Sequence, residues 1–337
     1  MKIVVTETEG CVGHNLTAKL ERRQDVKILS LGEDVAAFLR DLERQGEPCP
    51  VVSLSGAWEE EIRNYGGRTG APVRIYRLGT VFGKWCGEDE DNIVAEMCRR
   101  AARGMSPETE NAGEILRLVY IDDVMEELMG ILDGRADAES RLSVDGHADA
   151  EGYYHVPVET KYEVTVREVA DLLRSFRESR ENLMIPDMTE GSFTQKLYAT
   201  YLSYLPEDEF AYPLCVHADE RGSFTEIWKS ADRGQVSVNV IRPGIVKGDH
   251  WHHTKNEKFV AVSGKGLIRL RRHGGERVVE YPVDGGHPEV VEIPVGYTHT
   301  IANTGDADLV VLIWCSECFD PERPDTVAEP VERNGEI

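Results

Sequence analysis

The sequence predicts a two-part molecule: an α/β part built as a truncated Rossmann-like parallel sheet, followed by an all-β barrel. Three observations carry this expectation. Residues 1–185 alternate short apolar strands with helical segments, the order that builds a parallel sheet covered by helices. From residue 212 the apolar positions recur with period two, broken by turns about every 8–12 residues, as in a small barrel or sandwich. The length of 337 residues also exceeds what one hydrophobic core usually serves. The expected divisions are 1–185, a linker and helix over 186–211, and the barrel over 212–330.

In the first part Ile3, Val4, Val5 and Thr6 read as an opening strand, Gly10 to Gly13 as the turn after it, and Leu16 and Leu20 as the buried side of a helix. Further strands are expected near 26–29, 51–54, 73–78 and 116–121, with helices near 36–44, 92–103 and 124–132. A helix over 166–176 closes this part, and the polar stretch 177–191 is the expected link. Barrel strands are expected at 236–241, 258–262, 266–271, 290–293 and 309–314. The tail from Asp320 is rich in Pro and acid and reads as irregular.

Composition narrows the function classes. Against 38 basic side chains stand 61 acidic ones, a formal charge of −23 shared by both parts. Such a surface repels phosphate backbones and anionic lipid, so neither nucleic acid nor membrane is an expected partner. An anionic ligand must be met by local Arg or Lys. No apolar run reaches the roughly 18 residues of a membrane span, and no secretory leader pattern opens the chain, so a cytoplasmic location is expected. Seven scattered cysteines, an odd number, fit a reducing compartment better than a disulfide framework. Cys315 and Cys318 form a lone CxxC, read as two small strand-edge residues.

The strongest chemical signal lies in the second part. Gly248, His250, His252, Glu257 and Gly264 are followed by Pro294, Gly296, His299 and Asn303, in the spacing G-x-H-x-H-x4-E-x6-G then P-x-G-x2-H-x3-N. On a strand His250 and His252 share a face, while His253 points the other way. A neighbouring strand is expected to bring Glu257 alongside, and a strand across the barrel to supply His299. His250, His252, Glu257 and His299 then offer three nitrogens and one oxygen, a set suited to Zn, Fe, Mn or Ni.

This paired pattern resembles the two motifs of the cupin family. Upstream, the run from Asp219 to Glu226 resembles the entry strand of the dTDP-4-keto-sugar 3,5-epimerase branch, where the corresponding Arg and Glu lie at the nucleotide-sugar site. Residues 202–206, 233–239 and 250–259 are similar to capsular polysaccharide synthesis enzymes that join a short-chain dehydrogenase/reductase-like domain to a C-terminal cupin. The resemblance implies a divalent metal, zinc first, and a UDP-linked 4-keto-6-deoxy-N-acetylhexosamine. It implies epimerisation at C3, then NADPH-dependent reduction at C4, in a homodimer. It places Arg221, Phe224, Glu226, Gln235 and Asn239 at the substrate. Arg221, Arg242 and Lys265 are candidates for the diphosphate. His253, as a histidine left free by the metal, and Tyr297 are the candidates for the acid/base step.

The first part follows its family less well. Gly10 and Gly13 match the glycine-rich cofactor turn, but Glu7 stands at the first glycine and Glu9 adds a second carboxylate where a pyrophosphate would lie. The catalytic Tyr-x-x-x-Lys is missing: Tyr65, Tyr76, Tyr120, Tyr153, Tyr154 and Tyr162 are followed four places on by Thr69, Thr80, Val124, Pro157, Val158 and Val166. Without that Lys nothing lowers the tyrosine pKa for hydride transfer. The stretch between Gly13 and Arg77 is also short, as if a strand pair and the start of the catalytic helix were gone. The expectation is a degenerate reductase lobe that binds no NADPH, joined to an active barrel. The alternatives are an enzyme that keeps both activities and a sugar-nucleotide-binding or assembly protein without turnover.

Overall fold

The computed structural model describes residues 3–6, 10–21, 23–29, 34–54, 58–87, 92–108, 111–133, 154–157 and 162–332. The chain forms two compact units, one of residues 1–177 and 187–210, the other of 178–186 and 211–337.

The first unit runs β1 (Ile3–Thr6), α1 (Gly10–Leu20), β2 (Val26–Leu29), α2 (Val35–Gln45), β3 (Val51–Ser53), α3 (Glu59–Thr69), β4 (Val73–Arg77), β5 (Thr80–Phe82) and α4 (Ile93–Ala102). It continues with β6 (Ile115–Tyr120), α5 (Ile121–Leu132), β7 (Tyr154–Pro157), β8 (Tyr162–Thr165), α6 (Val166–Asn182) and α7 (Phe193–Leu202). Among the described residues, a parallel sheet has the order β2-β1-β3-β4-β7. Despite the short stretch before Arg77 this sheet has no gap, since Val5 pairs Val52 and Val52 pairs Arg74. A smaller sheet, β5-β6-β8, sits in the same unit.

Local chemistry sets the helix limits. Asp34 and Asn92 cap α2 and α4 by accepting the Ala37 and Ala95 amides, and Gly46 ends α2 in the left-handed conformation. The apolar side of α4, Val94, Met97, Cys98 and Ala101, packs with Val169, Leu173 and Phe176 of α6. Leu197 and Tyr201 of α7 join the same core. The helix of the segment 186–211 is thus packed into the first unit. Residues 178–186 belong to the second unit instead, where Met184 bridges Lys229.

Cys11 at the start of α1 is disulfide-bonded to Cys86 after β5, a single bridge where the odd cysteine count pointed to a reducing compartment. The start of α1 packs on the turn at 83–86, where Asn15 donates to Cys11 O at 2.8 Å and to Lys84 O at 3.0 Å. That packing brings together two thiols 75 positions apart.

The second unit has β9 (Val216–Asp219), β10 (Gly222–Ser230), β11 (Gly234–Ile241), β12 (Val246–Trp251), β13 (Glu257–Ser263) and β14 (Lys265–Arg272). It ends with β15 (Val278–Asp284), β16 (Val290–Ile293), β17 (Tyr297–Asn303), β18 (Leu309–Cys315) and β19 (Val327–Ala328). Two antiparallel sheets, β16-β13-β18-β11-β10-β9 and β15-β14-β17-β12-β19, face one another. Alternate residues point inward, so Ile241, Phe259, Ile268, Leu270, Ile301, Leu309 and Val311 fill the space between them. The tail is irregular as expected apart from β19, which pairs with β12, and Val331 is buried.

A candidate metal centre in the barrel

Four side chains meet at one end of the barrel. His250 lies on β12, His252 just past its end, Glu257 at the start of β13 and His299 on β17. One ligand atom from each falls within 4.8 Å of all the others. The strand roles differ from those expected. His299 is the direct cross-strand partner of His250 in the same sheet, while Glu257 arrives from the opposite sheet, where it pairs with Cys315. The short loop after His252 carries the chain from one sheet to the other.

The pairing of β12 with β17 shifts between Gly248 and His250, a bulge centred on Asp249, whose φ is +57°. Gly248 has φ +117°, and a Cβ there would lie 2.5 Å from the His299 carbonyl oxygen. The motif glycine therefore permits the close approach of the two strands that carry His250 and His299.

His252, Glu257 and His299 are almost fully buried. Glu257 Oε2 lies 3.4 Å from His252 Nε2 and 3.2 Å from His299 Nε2. Yet the buried His252 Nε2 and Glu257 Oε2 make no hydrogen bond among the described residues. Buried polar atoms aimed at a common point without bonding each other are what a cation-binding set requires. Burial opposes ionisation of Glu257, but the two imidazoles beside it outweigh that and hold its carboxyl well below the usual range. Burial, with the neighbouring His299 and His252, holds His250 at about 4, so it is neutral at pH 7, the form a metal needs. Three imidazoles and one carboxylate fit a divalent transition metal such as zinc.

A second layer orients these ligands. His252 Nδ1 donates to the Asp325 carbonyl, which leaves Nε2 as the ligand atom. The Cys315 thiol donates to Glu257 Oε1 at 3.3 Å, leaving Oε2 toward the imidazoles.

The four ligands line a cavity of about 550 Å³. Of the residues expected at the substrate, Phe224, Glu226, Gln235 and Asn239 all line it. Arg221 does not: it is exposed and paired with Asp219 at 2.6 Å. Arg242 donates to Glu220 O, and Lys265 lies 3.8 Å from Asp284, so neither borders the cavity. The two acid/base candidates are also displaced. His253 is exposed in the loop past the end of β12, with its ring against Trp251. Tyr297 packs against the apolar core of the barrel.

Sequence reasoning missed Lys247, His217 and Cys315, which line the same cavity. Lys247 Nζ donates to Asn239 Oδ1 at 2.8 Å, and burial lowers its pKa. Regular alternation would set Lys247 and His250 on opposite faces; the bulge at Asp249 brings both to the cavity. The adjacent Gly-Asp was the one available signal.

In the first unit, Gly10 opens α1 with φ +70° and Gly13 is buried in that helix. Glu7, Glu9 and Tyr153 lie outside the described residues, as does the side chain of Tyr154. Burial pushes the hydroxyls of Tyr65, Tyr76 and Tyr120 up, away from the value a proton donor in hydride transfer needs.

The fold and site define a class: an α/β lobe joined to a cupin barrel with a three-histidine, one-carboxylate centre. Residues 217–327 match the polysaccharide biosynthesis C-terminal domain family. The chain is 33% identical to UDP-2-acetamido-2,6-beta-L-arabino-hexul-4-ose reductase of Pseudomonas aeruginosa, over 97% of this chain and 98% of the relative. That alignment spans 380 positions, so the relative carries internal segments that these 337 residues lack. The crystal structure of the capsular polysaccharide assembling protein CapF from Staphylococcus aureus superposes with a TM-score of 0.86 at 39% identity, covering 98% of this chain and all of that one. A structure of CapF with the inhibitor 3-isopropenyl-tropolone matches at 0.85 and 38%, with the same coverage. The chain belongs to the CapF family of polysaccharide biosynthesis.

Proposed function

We propose that the barrel epimerises C3 of a nucleotide-activated 4-keto-6-deoxy sugar, a UDP-linked N-acetylhexosamine, and that the first unit takes no part in hydride transfer. The observation that carries this reading is the convergence of His250, His252, Glu257 and His299 in a cavity that Glu226, Gln235, Asn239 and Lys247 also line. A hydrogen beside a ketone is removable when a base is close and the enolate oxygen is stabilised. A divalent cation, when bound, supplies Lewis acidity for that oxygen.

The chain's own residues do the rest. His250, His252, Glu257 and His299 hold the ion. Gln235 and Asn239 orient sugar hydroxyl and amide groups. Lys247, its pKa lowered by burial, holds or delivers the proton at C3. Apolar walls from Phe224, Phe259 and Ile313 exclude water.

We further propose zinc as the ion, a homodimer as the assembly and the cytoplasm as the setting. Metal analysis of purified protein and sedimentation velocity test the first two.

The main reading is tested by incubating metal-loaded protein with the keto-sugar in deuterated water. Deuterium enters at C3, and the C3 epimer accumulates. Absence of exchange overturns the reading.

A second reading keeps C4 reduction, favoured by the reductase named in the Pseudomonas aeruginosa relative, which aligns end to end. Fluorescence titration with NADPH separates the two. Micromolar binding supports the second reading, and no binding supports the first.

A further inference from the structure

The tail beyond β18 does more than pack. Asp325 lies in the left-handed region at φ +41° and binds the loop between His252 and Glu257 from both of its acceptor groups. Its carboxylate Oδ1 accepts the His253 amide at 2.9 Å. Oδ2 accepts the Thr254 amide at 2.9 Å, the Thr254 hydroxyl at 3.1 Å and the Lys255 amide at 3.1 Å. Its backbone carbonyl accepts His252 Nδ1. Pro324 O takes the Lys255 ammonium at 3.2 Å. Downstream, Asp249 O and Oδ1 accept the amides of Glu329 and Val331, so the tail also grips the bulge beside His250.

Every bond of this set lands on, or within three residues of, a metal-ligating side chain. Three successive amides that point one way need an acceptor, and a carboxylate is the strongest available. A His whose second nitrogen is held by a carbonyl keeps one tautomer and one ring direction.

We propose that Asp325 is a positioning residue for the metal centre, and that segment 324–331 is a strap whose closure is thermodynamically coupled to metal binding. The proposal rests on the reading of His250, His252, Glu257 and His299 as ligands. An ordered loop presents His252 and Glu257 ready to bind, so the cost of ordering them does not fall on the metal. Coupling is reciprocal: a bound ion must hold the strap closed by the same factor that the strap tightens the ion.

The test uses the full-length protein, stripped of metal and titrated with Zn²⁺ against a chromophoric chelator. Asp325→Asn keeps the size but turns an amide NH₂ toward donors. Asp325→Gly keeps the carbonyl and suits the left-handed backbone but removes the carboxylate. Both variants are expected to bind Zn²⁺ on the order of 10–100-fold more weakly, whereas Asp320→Asn, elsewhere in the tail, binds as the unaltered protein does. Cobalt-loaded Asp325→Asn shows a changed d–d spectrum, which a purely structural role would leave alone. In the unaltered protein, Zn²⁺ slows proteolytic cutting of residues 320–332, a measurement that needs no variant to fold. Zn²⁺ affinity in both Asp325 variants equal to that of the unaltered protein, or a cutting rate indifferent to Zn²⁺, overturns the coupling alone. Failure of the unaltered protein to take up any metal overturns the ligand reading and the coupling together.

Discussion

Arg271 Nη2 donates to Glu329 Oε1 at 2.9 Å, joining the middle of the barrel sheet to the tail. The guanidinium is almost wholly buried and donates as well to the carbonyls of Gly275, Pro330 and Val331. A charge removed from water in this way is tolerated because every donor direction is met. Arg271→Met takes the guanidinium away from Glu329 Oε1 and from three carbonyls. The variant is expected to lose about 3–5 kcal/mol of barrel stability, read by urea unfolding of the two proteins side by side.

Glu329 makes the same junction sensitive to acid. His273 and Arg271, helped by Thr298 and opposed by burial, bring its carboxyl down to about 2 from the ordinary 4.5. The ionised form therefore favours the folded state, and its contribution is complete above about pH 4.5. It declines as pH falls toward 2. Melting temperatures of the unaltered protein and Glu329→Gln should differ most at neutral pH and converge as the pH drops from about 4.5 toward 2. A constant difference across that range contradicts the assignment.

Gly248→Ala tests the close approach of β12 and β17. The added methyl would meet His299 O at 2.5 Å and Thr300 Cα at 2.8 Å, at a φ that L-residues avoid. The strands must part, at a cost of about 1–3 kcal/mol, and His250 and His299 part with them. Metal content measured after dialysis against the free ion should fall together with stability.

Glu257→Gln and Lys247→Met separate holding the ion from moving the proton. The first removes the one anionic ligand and should strip the protein of metal. The second should keep full metal content while deuterium uptake at C3 drops on the order of 10²–10⁴-fold. Metal loss in Lys247→Met would show that Lys247 acts on the site's structure.

Much of this was legible in the sequence, and the physics of the residues says which part. Ligand identity is written in spacing, because His250, His252, Glu257 and His299 must be of those types to bind a metal. Phe224, Glu226, Gln235 and Asn239 were named through a family resemblance, and all four line the cavity. What failed lay in side-chain direction and strand placement rather than in residue type. One unpaired residue at Asp249 reverses strand alternation, so Lys247 was missed. The strands bringing Glu257 and His299 were exchanged because the loop after His252 crosses to the other sheet. Tyr297 was misplaced because a motif fixes a position in the chain, not the side on which the barrel wall stands. Composition showed the tail as irregular but not what it holds: Asp325 and Glu329 acquire meaning only opposite the amides at 253–255 and Arg271. The disulfide was hidden for a similar reason, since no local pattern relates Cys11 to Cys86.

The chain passes from the first unit to the second at residue 178, returns at 187 and leaves again at 211. In the short excursion, Ile185 N donates to Lys229 O, and Lys229 N to Leu183 O, at 2.8 Å each. A piece of the barrel is thus encoded ahead of a helix of its neighbour, so no single cut divides the gene into two self-sufficient halves. A barrel begun at residue 211 would expose the β10 edge that Leu183 to Ile185 cover. For this architecture, modular exchange of lobe and barrel requires three junctions, and a recombination event with only one yields an incomplete sheet.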